Sequence, residues 1–455
     1  MGTDTAESRG VHAPVRDRWW LIVAAGLAIF IAQLDASIVG VALPRIEADL
    51  HTSTTVVQWV GLGYLMPLIA LALGIGRWVD TADPRRVMVL GCTGFAVASV
   101  ACGLAPGVGW LIGARVVQGC FAVIMLALAP VLPTIAVRPE VRGRAFGTVL
   151  LLGTLGGVTG PPAGGLLVEA YGWPAVFYVN VPVVAVVLAV VTRQLPLGPR
   201  LPRPKAAWAA EAVTFGGAAV AVLFALSFAM DRSVEWGLLA LAAVPLLLVW
   251  GRSASARSLW SLVTAPGLPG PHLAIGCAYF AVFGVLFVTP FFLQVSLGVP
   301  PGTNGWVMVG LALGTGCGSV LGGRLADRVG PRRVALSGTV VLLAGTASMV
   351  PASTTWGAPD VASRLLLIGV GFGLFNAQNQ ARVMSNAPQD RLGMISGTTS
   401  LVRQLGAAAG SALGAALWAT SPGGATALSA CAATAAVAAV CTALAVSRTS
   451  VKRPV

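Results

Sequence analysis

Fourteen stretches of mainly apolar residues follow one another along this chain, most of them near the length of about 20 residues that a helix needs to cross a hydrocarbon core. They lie near 19–41, 55–78, 87–105, 110–135, 144–168, 174–192, 208–230, 236–251, 272–293, 305–326, 333–351, 361–381, 395–419 and 424–446, with 236–251 the shortest. In lipid a backbone must satisfy its own polar groups, so apolar runs of this length predict helices. Composition agrees: 56% of the 455 residues are hydrophobic, 10% are charged, and the mean hydropathy is +0.84. Those values lie outside the range of a soluble globular domain. The expected class is an all-α membrane protein with fourteen transmembrane helices.

Lysine and arginine number 29 against 16 acidic residues. On a soluble protein that excess points to nucleic acid, but no soluble domain is present to carry it, and no nucleic-acid partner is expected. Instead, 24 of the 29 basic residues fall in the tails and in alternate loops. Arg45, Arg232 and Arg364 fall in or at the edge of the opposite loops, and only Arg115 and Arg403 lie deep inside spans. Positive loop charge collects on the cytoplasmic side, so both termini are expected there. Arg16 and Arg18 precede an apolar run too long for a signal-peptide core, which reads as a retained first helix. Arginine carries nearly all the basic charge, with Lys205 and Lys452 the only lysines. Together with abundant Ala, Gly and Val, this usage points to a high-G+C bacterial genome and a bacterial inner membrane. All seven cysteines sit in apolar stretches without metal-type spacing, which argues against a disulfide framework and a metal site.

The segment GRWVDTADPRRVMVLG (Gly76 to Gly91) aligns with GRLADRVGPRRVALSG (Gly323 to Gly338), identical at eight of sixteen positions at an offset of 247. Each copy follows the second span of a six-span set, so the chain reads as two six-helix bundles with two inserted helices. The expected divisions are a tail at 1–18, a bundle at 19–192, a linker with two extra helices at 193–271, a bundle at 272–446 and a tail at 447–455. Duplicated halves with a site between them are a transporter architecture.

Several short segments stand out. In the second loop Gly323, Asp327, Arg328, Gly330, Arg332 and Arg333 fall within eleven residues, while the first loop holds Gly76, Asp80, Arg85 and Arg86. The fifth span contains Gly156, Gly160, Pro161, Gly164 and Gly165. The first span reads Leu34-Asp35-Ala-Ser-Ile-Val-Gly40-Val-Ala-Leu-Pro44, and the fourth reads Arg115-Val-Val-Gln118-Gly119. With Trp59, Tyr64 and Trp173 to Pro182, these segments resemble the major facilitator superfamily, and specifically its fourteen-helix drug:proton antiporter family, along nearly the whole chain. The glycine and proline pattern of the fifth span is similar to the signature of the superfamily's antiporters. Four positions depart from the pattern: Ser37 and Gly40 replace the usual Thr and Asn, and Thr81 and Asp83 replace a basic residue and glycine in the first loop.

Asp35 is the only acid deep within any span. A charge at the bilayer centre costs about 2.5 to 3.5 kcal/mol on insertion scales, so such residues usually face a cavity and serve a function. At ~1.5 Å per residue Asp35 lies about 13 Å below Pro44, and Arg115 about 8 Å below Trp110, so the two are placed to meet. One reading makes the pair the proton-coupling site; the other makes it a structural ion pair. The loop motifs read either as latches, in which a carboxylate pairs with guanidiniums or a helix N-terminus, or as plain topology signals. The glycines read as close-approach seams or as ordinary helix packing. Tyr64, Gln118, Asn376, Gln378, Asn379 and Arg403 are candidate cavity residues, with Gln380 beside them. Glu169 and Glu211, near span ends, read as solvated at the interface.

The resemblance implies a proton-coupled antiporter that exports small amphipathic or drug-like molecules by alternating access. Its partners are a small-molecule substrate, protons and the bilayer, and it is expected to work as a monomer. No phosphate-binding loop supplies ATP as the direct energy source, no cofactor is implied, and no catalytic constellation suggests an enzyme. The alternatives are a proton-coupled transporter of an endogenous metabolite or nutrient, and a membrane sensor that kept the fold.

Overall fold

The computed structural model describes residues 17–79, 81–129, 131–138, 141–198, 201–202, 206–228, 234–253, 256–257, 260–261, 264–265, 267–353, 355–386, 392–420 and 425–447. Within them the chain is helical, with no strand. The first bundle comprises α1 (Trp19–Asp49), α2 (Thr54–Val79), α3 (Pro84–Gly103), α4 (Val108–Leu128), the short α5 (Leu132–Ala136), α6 (Arg142–Tyr171), the short α7 (Ala175–Tyr178) and α8 (Asn180–Gln194). The inserted pair is α9 (Ala206–Phe228) and α10 (Ala243–Gly251), the latter entered through a 3-10 segment, Val234–Ala242. The second bundle comprises α11 (Pro269–Phe291), α12 (Pro301–Val329), α13 (Pro331–Met349), α14 (Ala358–Ser385), α15 (Leu392–Thr420) and α16 (Ala425–Ser447).

Each of the fourteen expected spans coincides with helical structure, and among the described residues eleven helical segments, one of them running through α7 and α8, are long and apolar enough to cross a membrane. Proline explains where spans differ from one unbroken helix. Pro133 and Pro182 have no N–H to donate, so they are tolerated in a first turn. There they open new helices, α5 and α8, rather than continuing the fourth and sixth spans. Pro44, in contrast, lies inside α1, which runs on to Asp49. The expected helix end at Pro44 is therefore corrected, and Asp35 sits at the midpoint of α1. The short eighth span gains reach from its local geometry. Nine residues of 3-10 helix at ~2.0 Å rise followed by nine of α-helix at ~1.5 Å extend about 32 Å, close to the core thickness, where an all-α segment would reach about 27 Å.

The duplication read in the loops recurs in the packing. α1 packs on α6 as α11 packs on α15; α2 on α4 as α12 on α14; α3 on α8 as α13 on α16. Glycine stripes mark the equivalent seams, since Gly406, Gly410 and Gly414 of α15 each lie 250 positions after Gly156, Gly160 and Gly164 of α6. A Cβ at Gly156 would collide with the Phe30 carbonyl, and one at Gly410 with the Phe280 carbonyl. Between lipid-facing helices such backbone approach replaces the hydrophobic drive that water would supply. α9 covers the flank where the bundles meet, packing Leu223 and Phe228 against Trp59, Leu62 and Met66 of α2 and Leu401 and Ala408 of α15.

Candidate functional site

Asp35 and Arg115 meet. Arg115 Nη1 donates to Asp35 Oδ2 at 2.5 Å, and both side chains are fully buried. The pair sits in a polar network drawn from five helices. Asn180 Nδ2, at the start of α8, donates to Asp35 Oδ1 at 2.7 Å, and Gln118 Nε2 donates to the same oxygen at 3.0 Å. Gln118 Nε2 also reaches Ser99 Oγ of α3 at 2.8 Å, and Asn180 Nδ2 reaches it at 3.2 Å. Arg115 holds two further acceptors, Gln118 Oε1 at 2.7 Å and the Val60 carbonyl of α2 at 2.9 Å. Its guanidinium lies 4.4 Å from the Tyr64 ring centroid, and Tyr64 is anchored on the Ala32 carbonyl at 3.2 Å. A buried ion pair is tolerable only when its remaining lone pairs and protons are bonded in this way.

The arrangement has a chemical consequence. Arg115 keeps two neutral acceptors and an aromatic face besides Asp35, so it has partners even when the carboxylate takes up a proton. Asp35 in turn faces away from the open side of α1. Gln33 and Ala36 are exposed although they lie mid-helix, and a Cβ at Gly40 would meet nothing within 4 Å. One face of α1 therefore borders open space and the other holds the charge network.

The fifth-span motif on α6 works in two directions. Gly156, Gly160 and Gly164 let α1 approach at Phe30, Ser37 and Ile38, on either side of Asp35. Gly165 and the Pro161 carbonyl face the other bundle: a Cβ at Gly165 would strike the Pro301 carbonyl, and one at Gly305 the Pro161 carbonyl. Glu169 Oε2 accepts from the Gly302 N–H at the start of α12 at 3.0 Å, and Gln294 Nε2 donates to the Val41 carbonyl at 3.0 Å. These contacts join the two bundles at the arginine-poor end. Glu169, exposed as expected near a span end, also makes a contact between bundles, and Glu211, partly exposed, pairs with Arg77 at 2.7 Å.

The loop motifs fare unevenly. Asp80 lies outside the described residues, as does the side chain of Asp327. In the first loop Arg85 Nη1 donates to the Leu195 carbonyl at 3.0 Å and Arg86 Nε to the Gly198 carbonyl at 3.1 Å. Trp78 Nε1 donates to the Pro202 carbonyl at 2.8 Å. The first loop therefore clasps the segment that leads to the inserted helices. Asp83, which stands where the family pattern has glycine, caps α3 by accepting from the Arg86 N–H at 2.9 Å. Gly76 and Gly323 have open space where a side chain would stand; Gly330 has a positive φ of 89° that lets α12 turn sharply into α13. Arg328 and Arg332 are exposed at this arginine-rich end.

Of the candidate cavity residues, Tyr64, Gln118, Gln378 and Asn379 are buried, so they do not line open space in this structure. Asn376 and Arg403 are half-buried. Asn379 Nδ2 donates to the Pro271 carbonyl at 3.1 Å, tying α14 to α11. The Arg403 guanidinium lies 5.9 Å from the Tyr279 ring, and Tyr279 stacks on Phe283 at 5.9 Å and meets Phe372 edge-on at 5.0 Å. Sequence reasoning passed over Ser99, Asn180 and Gln294 and missed the contact of Glu169 with the other bundle. Asn180 alone carried a signal, as a polar residue inside the segment Trp173 to Pro182.

Comparison with known proteins follows the same lines. The model of the Major Facilitator Superfamily matches residues 25–411 and 271–454. The chain is 29% identical to the puromycin resistance protein pur8 of Streptomyces alboniger over 424 residues, 90% of this chain and 83% of that one. It is 30% identical to the tetracenomycin C resistance and export protein of Streptomyces glaucescens over 435 residues, 91% and 79% of the two chains. The riboflavin transporter RibZ of Clostridioides difficile is 24% identical over 406 residues, 88% of each. A bacterial homologue of the human lysosomal transporter Spinster, solved inward-facing and unoccupied, shares the fold with a TM-score of 0.63 at 18% identity over 95% of each chain.

Proposed function

The chain belongs to the Major Facilitator Superfamily and is a multi-pass membrane transporter; from that premise we propose that it is a proton-coupled antiporter exporting small amphipathic or drug-like molecules. In this reading all fourteen helical segments cross the bacterial inner membrane, and the arginine-rich end with both termini lies in the cytoplasm. The observation that carries the proposal is the position of α6. It holds α1 beside Asp35 through Gly156, Gly160 and Gly164 and holds the opposite bundle through Gly165, Pro161 and Glu169. Rocking of the bundles about that seam moves α1 and changes the distance and hydration of the Asp35–Arg115 pair. A proton arriving at Asp35 removes its attraction for Arg115, whose remaining acceptors hold it until release. Two antibiotic-resistance relatives support export as the direction. The structural-ion-pair reading of Asp35 and Arg115 is the rival, since full burial suits it equally well.

The test uses the purified protein reconstituted in vesicles, with a chemically broad dye and antibiotic panel supplied outside. An imposed proton gradient drives uptake into inverted vesicles and Asp35→Asn abolishes it, while the variant inserts normally. Undiminished gradient-driven transport by Asp35→Asn overturns the coupling role. The riboflavin-transporting relative favours a second reading, carriage of an endogenous metabolite, and a panel that includes vitamins and nucleosides separates the two.

A further inference from the structure

The charges of the two bundles do not balance inside the membrane. Between residues 269 and 447 the acids are Asp327, Asp360 and Asp390, none of them deep within a span. Asp360, at the arginine-poor end, lies 3.7 Å from Arg364. In the first bundle the deep carboxylate Asp35 is already bonded to Arg115. Arg403 has no such partner among the described residues. It lies eleven residues from the start of α15 and seventeen from its end, about 16 Å and 26 Å along the axis. That places a cation near mid-membrane. An uncompensated guanidinium at this depth carries a substantial insertion cost.

Arg403 is also turned inward. It shares the face of α15 that carries Gly406 and Gly410, whose Cβ positions would collide with the Gly276 and Phe280 carbonyls of α11. The opposite face, with Leu401, Ala408 and Ala412, packs on α2 and α9. The guanidinium therefore points at Tyr279 on α11, a helix enclosed by α1, α14, α15 and α16. Tyr279 and Phe283 are half-buried and stacked, with Phe372 edge-on behind Tyr279. An aromatic wall with a half-exposed, unneutralised guanidinium at its rim offers two recognition elements. The wall takes a planar ring by stacking, and the guanidinium takes an oxyanion by paired N–H donors.

We propose that the second bundle holds the substrate subsite, with Arg403 as counter-ion and Tyr279, Phe283 and Phe372 as the stacking wall, and that the transported class is planar aromatic molecules bearing a carboxylate or other oxyanion. This rests on the transporter reading above and names the substrate class of its central site. The anion supplies the charge that the second bundle lacks, so the site is neutral only when occupied. Aromatic cations are disfavoured by the same guanidinium.

Equilibrium binding to the full-length protein in nanodiscs, without any proton gradient, tests it with radiolabelled naphthalene-2-carboxylate and the isosteric naphthalene-2-carboxamide as probes. The wild type binds the acid about tenfold or more tightly than the amide, the equivalent of one charge-assisted contact. Arg403→Gln brings the ratio to about one, Arg403→Lys retains a preference for the acid, and Tyr279→Leu weakens both probes. No binding of the acid, equal wild-type affinity for both probes, or an acid preference that survives Arg403→Gln each overturn the proposal. The wild-type ratio and Arg403→Lys decide the matter even if Arg403→Gln folds poorly. Because no gradient is present, failure of proton-driven export leaves this result standing, and failure here leaves export untouched.

Discussion

Asn180 Nδ2 lies 2.7 Å from Asp35 Oδ1, so a residue 145 positions away supplies the donor opposite the one that Arg115 provides. The carboxylate is held from both sides by side chains of other helices.

Breaking the ion pair from one side leaves the other charge buried. Asp35→Asn should lower the stability of the purified protein by about 3–5 kcal/mol as well as abolish proton-driven transport. The double variant Asp35→Asn/Arg115→Gln should recover much of that stability while remaining inactive. Thermal unfolding in detergent measures this; a double variant no more stable than the single one would show that the two groups do not compensate each other.

Asn180→Leu removes a donor to a charged acceptor while keeping the side-chain size. The expected loss is about 1.5–3 kcal/mol, the usual scale for a hydrogen bond to an ionised group. Unfolding temperature and transport rate should both fall. An unchanged unfolding temperature would mean that Arg115 and Gln118 suffice to hold Asp35.

The contact between bundles at the arginine-poor end should respond to its backbone seam more than to its charge. Gly165→Val forces a side chain into the Pro301 carbonyl, and overpacking of this kind costs about 1–3 kcal/mol, or at least about fivefold in the closed population. Glu169→Gln keeps an acceptor for the Gly302 N–H and should act more weakly. The reporter is a cysteine at exposed Ala36, in a background with the seven native cysteines replaced, labelled from outside intact cells by an impermeant maleimide. Faster labelling with Glu169→Gln than with Gly165→Val would reverse this assignment.

Topology has a direct check. The arginine bookkeeping sets Asn304 outside and Arg257 and Arg391 in the cytoplasm. Asn304 is fully buried and Arg391 lies outside the described residues, so exposed Thr303 and Arg257 are the better reporters. Thr303→Cys should react with an impermeant reagent on intact cells and Arg257→Cys only after permeabilisation. The opposite pattern would overturn the fourteen-crossing map.

The sequence by itself determined the helical class, the approximate place of the fourteen apolar spans, the repeated loop segment and the deep Asp35 and Arg115. These are local properties: hydropathy over about twenty residues, and charges whose burial is costly wherever they point. Helix boundaries at Pro133 and Pro182 were equally local in cause, although unbroken spans were expected there, because each proline acts through its own missing N–H. Tertiary structure alone decided the rest. In lipid the outer face of a helix is as apolar as its packed face, so the sequence carries little of the inside-to-outside pattern that would orient each helix about its axis. Only the packed bundle shows that Asp35 turns from the open side of α1 into the first bundle, that Glu169 reaches across to Gly302, and that Arg403 turns toward Tyr279. Asp83 shows the same limit: charge bookkeeping sees a like charge among neighbours, whereas the folded loop uses it to cap α3, because capping depends on backbone geometry at that residue.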